Sequence, residues 1–484
     1  MSAAPHSASP SSATSGAPAD VNELVPAVWP SGATRDESGV LTLGGISATD
    51  LRARFGTPLW VLDEDEVRAQ ARRARAAFTA AAAAHGVTAR IYYAGKAFLS
   101  IEVARWVTEE GLSLDVCTGG ELAVALAAGV DPARLGFHGN NKSELELRAA
   151  LDAGVGTIVI DSFVEIARLA ELTAARPTPA RVMIRVNSGV HAETHDFLAT
   201  AHEDQKFGFT LTDAVTAAAR VREAPGLELV GLHGHIGSQI FGTAGFVESA
   251  ARLVDLHAAL SADGPLPLLN LGGGFGIAYT VRDDPTPIED LARGIVDAVA
   301  AESAAHGIPM PDLAFEPGRS IVGRAGVTLY SVGTTKPVTL DEGRARLYVS
   351  VDGGMSDNAR PALYGAEYSV RLASRTSEAA PALVRVVGKH CESGDIVVDA
   401  DHLPGDVAPG DLLAVPATGA YCFSLASTYN YVPRPPVVAL RGGEARVIVR
   451  GETVDDLLSR DAGYTGPVRA LVTPAPESPM EGTA

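Results

Sequence analysis

The sequence predicts an α/β fold, a (β/α)8 barrel joined to a C-terminal antiparallel β domain. Three observations predict it. Short apolar runs alternate with helix-patterned segments through the middle of the chain. Several of those runs end in polar residues suited to chemistry, and the last third changes to period-two alternation. At 484 residues the chain is too long for one ordinary core and suits two domains.

Residues 1–24 are rich in Ala, Ser and Pro and lack the basic start and apolar stretch of a signal peptide, so a disordered tail is expected there. GVLTLGG (Gly39–Gly45) reads as a short strand. TPLWVLD (Thr57–Asp63) reads as another, followed by a helix rich in Arg and Ala. The barrel is expected over residues 57–321. Its strands are predicted at Arg90–Ala94, Ser113–Cys117, Arg134–His138, Thr157–Asp161, Arg181–Asn187, Leu227–Gly234, Leu268–Leu271 and Asp312–Glu316. Segments such as SIEVARWVTEEG and DLARGIVDAVAAESAAHG supply the helices between them. The interval after Asn187 is long, polar and aperiodic, as a lid or binding loop would be. From about Ile321, runs such as RLYVSVD, DIVVDA, DLLAVP and ARVIVRG alternate between turn signals. Residues 25–56 and 322–484 are therefore expected to form the β domain.

Composition excludes several classes. A net charge of −19 argues against a nucleic-acid surface, which needs clustered Lys and Arg. No stretch approaches the roughly 20 apolar residues of a membrane span. The three cysteines, Cys117, Cys391 and Cys422, form no C-x-x-C pair, so neither a disulfide framework nor a structural zinc site is expected, and a reducing cytoplasm fits. Cys117 and Cys422 read as structural. HAETH places His191 and His195 four apart, with His202 nearby, but it is not H-E-x-x-H and no third ligand is evident; no metal is expected.

Barrels of this kind place their active sites at the C-terminal ends of the strands. Lys96 follows strand one there, and His138 closes strand three within FHGNNKS. HGHIGSQ (His233–Gln239) follows strand six, GGGFG (Gly272–Gly276) strand seven and EPGR (Glu316–Arg319) strand eight. Adjacent glycines let backbone N–H groups approach a phosphate closely. Singly, each has an ordinary reading: a surface lysine, a core histidine, a tight turn, a structural Glu–Arg pair. Their joint placement at the ends of different strands is harder to assign to chance.

The motifs YYAGKA, DVCTGGEL, HGNNKS, THDFLATAHEDQKFGF, HGHIGSQ, LGGGFG, EPGR, VDGGMSDNARPALYGA, CESGD and GAYC resemble those of diaminopimelate decarboxylases, a family with the alanine-racemase-like pyridoxal-phosphate fold. The likeness runs from about Leu41 to Leu458. EPGR and CESGD are shared widely among related decarboxylases, whereas AHEDQKFGF and DNARPALYGA are more particular to this branch. One departure is Gly234, where the family often has Cys.

The resemblance implies pyridoxal 5'-phosphate as cofactor, with Lys96 as its Schiff-base lysine. It implies that Glu316 pairs with the pyridine nitrogen and that His235 stacks on the ring. Ser238, Gly273, Gly274, Gly318, Arg319 and Tyr421 would contact the cofactor phosphate. Arg319, Arg360, Tyr364 and Tyr421 would hold substrate, the guanidinium forks suiting a distal carboxylate. Glu392 would take the distal ammonium, and Cys391 would return a proton, thiols as a class being mostly protonated near neutrality. In the family these last two come from the partner subunit, which implies a homodimer with shared active sites. The implied reaction converts meso-2,6-diaminopimelate to L-lysine and carbon dioxide. Decarboxylation of ornithine, arginine or a secondary-metabolite amino acid is the nearest alternative. A non-catalytic, cofactor-binding regulator is the alternative of another class, although such a protein should have lost Lys96, Glu316 or Cys391.

Overall fold

Eight parallel strands close into a barrel in the computed structural model, which describes residues 17–190, 206–340 and 345–466. They are β5 (Ala89–Ala94), β6 (Ser113–Val116), β7 (Leu135–Phe137), β8 (Thr157–Ile160), β9 (Ala180–Val186), β10 (Leu227–Gly234), β11 (Leu268–Asn270) and β12 (Asp312–Phe315), numbered after four earlier strands given below. Each pairs in parallel with its sequence neighbour. Closure comes from β12 against β5, with Leu313 opposite Ala89 and Phe315 opposite Ile91. All eight lie where the sequence places them.

Helix starts follow the local chemistry. Ser100, Thr118, Ser143, Ser162 and Thr210 each accept a backbone N–H of the first turn of the helix after a barrel strand. Ser143 and Glu146 form a reciprocal capping box. These caps stop the loops at the catalytic rim and turn the chain back along the barrel.

The remaining strands build β structure. A small meander of β1 (Thr34–Arg35), β2 (Leu41–Leu43) and β3 (Ile46–Ser47) stands apart from a nine-stranded sheet. That sheet holds β4 (Leu59–Asp63), β13 (Gly326–Thr339), β14 (Ala345–Val351), β15 (Arg371–Leu372), β16 (Pro381–Val387), β17 (Ile396–Pro404), β18 (Leu412–Pro416), β19 (Val437–Arg441) and β20 (Glu444–Val449). The meander packs on the sheet's core through Leu41 and Leu43, and the Leu41 N–H donates to the Ala373 carbonyl.

Two expected boundaries change. Strand β4, assigned to the barrel by the limit at residue 57, lies in the sheet, antiparallel to β13 and parallel to β19. The barrel closes without it, because β12 and β5 already satisfy each other. Its strand-then-helix pattern imitates a barrel unit, since the helix Glu64–Ala83 that follows packs against the barrel. The expected tail over 1–24 is also shorter. Val21 is buried, Arg371 donates to the Glu23 carbonyl, and Asn22 donates to the Ser377 carbonyl. Residues 191–205, most of the expected lid with His191, His195 and His202, lie outside the described residues.

Period two on β4 and β19 gives the molecule its shared wall. Trp60, Leu62, Val437 and Ala439 join the barrel core, whereas Leu59, Val61, Val438 and Leu440 join the sheet core. Both faces are apolar, so neither strand has a solvent side. Among the described residues no helix is long and apolar enough to cross a membrane.

Phe78, fully buried on the helix Glu64–Ala83, stacks on Phe315 of β12 at 4.0 Å between centroids and tilts against Phe275 at 5.3 Å. Phe78→Ala should destabilise the barrel by about 3–5 kcal/mol, and a thermal melt should show a fall in Tm.

Candidate active site

Strand β5 delivers Lys96. Ala94 ends the strand, and Gly95–Ala97 form a single tight helical turn that lifts the side chain over the rim. The Lys96 side chain is solvent-accessible yet surrounded by protein, as expected of a group that lines a cavity. Burial works against its charge. Tyr421, Asp115, Cys117 and Glu316 outweigh that effect and raise the ammonium above its ordinary range.

Facing it is a buried polar cluster from five strand ends. Glu316 follows β12 and accepts from Asn270 Nδ2 at 2.7 Å. His233 Nε2 lies 3.2 Å from Glu316 Oε1, and His138 Nε2 lies 3.3 Å from the same oxygen. His138 Nε2 is also 3.5 Å from Asp115 Oδ1. Burial alone would push the Glu316 carboxyl up, but its imidazole neighbours outweigh this and hold it well below the usual range. His138 is itself driven down to about 3 by burial, and burial together with the Lys96 charge drives His235 well below its usual range. Both rings are therefore neutral near pH 7. Burial and the charge on Glu316 push the Asp115 carboxyl well above its range. His138, His233 and Glu316 also bring three possible metal-ligand atoms within 4.8 Å of one another, and Glu316 is already hydrogen-bonded by His233 and Asn270.

The glycine run after β11 is threaded between its neighbours. Gly272 and Gly274 have φ of 69° and 109°, which side chains rarely adopt. A Cβ on Gly273 would overlap the Glu316 carbonyl, and one on Gly318 would sit 2.9 Å from the Ala94 Cβ. The Gly273 N–H donates to His235 Nδ1 at 3.3 Å, which places the imidazole proton on Nε2. Ser238 accepts from Arg319 Nη2 at 2.9 Å. Tyr421, at φ 65°, hangs its N–H on the Ala97 carbonyl beside Lys96, and the Arg319 guanidinium lies 4.6 Å over its ring.

Arg319 and Arg360 are both buried. Arg360 opens the short helix Arg360–Tyr364 and donates to the Tyr368 hydroxyl at 2.5 Å. Cys422 Sγ lies 3.7 Å from that hydroxyl. Tyr364, in contrast, is 68% exposed and is not brought to the two arginines. Cys391 and Glu392 are likewise exposed, in the loop between β16 and β17. Asp395 pins that loop to the segment before Arg360 by accepting the Met355 and His390 N–H groups at 2.6 and 2.8 Å. Glu392 borders an open depression of 510 Å³ lined also by Met355, Leu363, Leu425 and Tyr429, with no barrel residue on its wall.

The site thus gathers Lys96, His235, Ser238, Gly273, Gly274, Glu316, Gly318, Arg319, Arg360 and Tyr421, and leaves Tyr364, Cys391 and Glu392 on an outer face. Asp115, His233, Asn270, Tyr279 and Tyr368 were not singled out from the sequence. The first three sit at the ends of β6, β10 and β11, so the same strand-end rule could have found them. Tyr279 and Tyr368 are visible only once the arginines are in place.

An ionised buried carboxylate, a cavity-lining lysine and a glycine cradle define a cofactor-binding barrel. Residues 64–323 match the family described as "Pyridoxal-dependent decarboxylase, pyridoxal binding domain". The chain is 53% identical to the diaminopimelate decarboxylase of Mycobacterium tuberculosis (strain ATCC 25618 / H37Rv) over 444 residues, 90% of this chain and 98% of the relative. It is 44% identical to that of Bacillus subtilis (strain 168), over 89% of this chain and 97% of the relative. The crystal structure of diaminopimelate decarboxylase from M. jannaschii in complex with L-lysine superposes with a TM-score of 0.82 at 30% identity, covering 89% of this chain and 98% of that one. The chain belongs to the diaminopimelate decarboxylase family, and its cofactor is pyridoxal phosphate.

The residues fit that cofactor. Glu316 is ionised where a protonated ring nitrogen needs an anion, and Arg319 Nε and His233 Nδ1 are buried without partners among the described residues. Because the Lys96 ammonium is held above its usual range, cofactor-free protein should take up pyridoxal phosphate more slowly at neutral than at alkaline pH. Below that range the rate should rise about tenfold per pH unit, since only the neutral amine attacks an aldehyde. Stopped-flow absorbance of the binding reaction at several pH values checks this; a rate flat from pH 7 to 9 would contradict it.

Proposed function

We propose that the chain decarboxylates meso-2,6-diaminopimelate to L-lysine and carbon dioxide. The observation that carries this reading is the pair Arg319 and Arg360. Both are buried at the cofactor pocket, and their side-chain hydrogen bonds among the described residues go to neutral hydroxyls. Two buried guanidiniums without a carboxylate partner suit a substrate that brings one. Ornithine, arginine and lysine carry a distal cation there, which those charges would repel.

Bound pyridoxal phosphate supplies the electron sink that decarboxylation requires. Lys96 would hold the cofactor, and its amine, when free, could move protons within the pocket. Glu316 would hold positive charge at the ring nitrogen, with Asn270 and His233 orienting its carboxylate. His235, neutral and fixed by the Gly273 N–H, can lie against the ring without adding a charge that would oppose it. Ser238, Gly273, Gly274, Gly318, Arg319 and Tyr421 surround the phosphate end, and Tyr421 also borders the substrate.

Cys391, Glu392 and Tyr364 find their use in a homodimer. Their exposure on one face, next to the exposed Leu363, Tyr429 and Tyr431, suits a surface that a second copy covers. Cys391 of each subunit would then return a proton to the carbon that loses carbon dioxide in the other, and Glu392 would take the distal ammonium. Tyr364 would complete the carboxylate site. The reducing cytoplasm that such a thiol needs is the expected location.

The test is carbon dioxide release by purified, cofactor-loaded protein from meso-diaminopimelate beside ornithine, arginine and lysine. Turnover of diaminopimelate alone is expected. Release from ornithine in preference would replace the substrate assignment, and release from none would remove the activity. Lys96→Ala should abolish turnover. Arg360→Ala should lower kcat/KM for diaminopimelate by about 100-fold or more, the loss expected when a buried charge partner is removed.

A further inference from the structure

Tyr279 lies just beyond the glycine run, buried, with its N–H on Asp283 Oδ2 at 2.9 Å and its carbonyl accepting from Ser369 Oγ at 3.2 Å. Its backbone is therefore tied to the segments on both sides. Its ring stands between the two arginines. Arg319 Nη1 donates to the Tyr279 hydroxyl, whereas the Arg360 guanidinium lies 4.7 Å from the ring centroid. Tyr368, whose hydroxyl accepts from Arg360, meets the Tyr279 ring edge-on at 5.2 Å and 79°.

Two buried guanidinium groups without carboxylate partners, lying 5.7 and 4.7 Å from the centroid of one ring, repel each other. Left to packing alone they would swing apart or draw in an anion. Tyr279 opposes this at both ends, with its oxygen lone pair toward Arg319 and its negative ring face toward Arg360. The aromatic ring is a rigid spacer between the two cations. We propose that Tyr279 is a positioning residue for substrate specificity: it sets the separation of Arg319 and Arg360, and so selects ligands that carry a distal carboxylate. The proposal rests on the reading of those arginines as the carboxylate clamp.

The test compares Tyr279→Phe with wild type in cofactor-loaded protein. The substitution keeps the ring and removes only the oxygen that holds Arg319. KM for meso-diaminopimelate should rise about tenfold with kcat changed less than about threefold, in keeping with the loss of one charged hydrogen bond. L-Lysine has no distal carboxylate, so its inhibition constant should stay within about twofold of wild type. Bound-cofactor absorbance should not change, which separates this role from a general loosening of the pocket. Tyr279→Leu, which also removes the ring face, should raise KM further while sparing lysine inhibition. An unchanged KM in Tyr279→Phe, or a parallel loss of lysine inhibition, overturns the proposal. Arg360→Ala is the reference. If it raises KM and Tyr279→Phe does not, the spacer role fails and the clamp stands. If neither variant affects KM, the clamp itself is wrong.

Discussion

Closure of the barrel between β12 and β5 is the constraint on which the site depends. It sets residues more than 200 positions apart in the chain side by side: the Ala94 N–H donates to the Pro317 carbonyl at 3.1 Å, one residue from Gly95 and one from Gly318. Lys96 and the EPGR run then share a rim. The tightness of that seam explains Gly318, where even a methyl group would press on Ala94. Parallel strands put every C-terminal end at the same face, so one closure aligns the lysine, both active-site histidine motifs, the glycine run and the carboxylate.

Electrostatics divides this rim into two ends. Toward Glu316, the surrounding imidazoles hold one carboxyl well below its usual range, whereas burial raises the neighbouring Asp115 carboxyl and keeps the His138 and His235 imidazoles neutral. Desolvation would favour neutralising Glu316 as well, but the donors around it prevent that. Toward Arg319 and Arg360 the excess is positive, moderated by hydroxyls and aromatic faces. One rim thus carries a buried anion at one end and two buried cations at the other, as the proposed function requires. Lys96 stands between the two ends.

The shared wall of β4 and β19 joins this rim to the β domain. Because alternate residues of both strands feed different cores, the sheet cannot shift against the barrel without exposing apolar side chains on both sides. Arg360 and the Asp395-pinned loop come from the β domain, so their placement is inherited from the wall. An outer face carrying Cys391, Glu392 and Tyr364 follows from the same geometry. These residues are exposed in their own chain, which is why the proposed chemistry calls for a second copy.

The sequence by itself determined the barrel, its eight strand positions, the change to β structure after Ile321 and most of the pocket, because period, capping residues and strand-end chemistry are local properties. The motif resemblance implied roles for Lys96, Glu316 and Arg319, which the proposed function adopts. Tertiary structure alone decided that β4 leaves the barrel. A strand buried on both faces looks the same in either place, and only the pairing of β12 with β5 removes the option. It alone decided that residues near Val21 dock on the sheet, since a polar, proline-rich composition hides a single buried valine. It also revealed Asp115, His233 and Asn270 as support for Glu316, and Tyr279 between the arginines. Support of this kind depends on distances between strands and loops far apart in the chain, and linear spacing does not encode such distances.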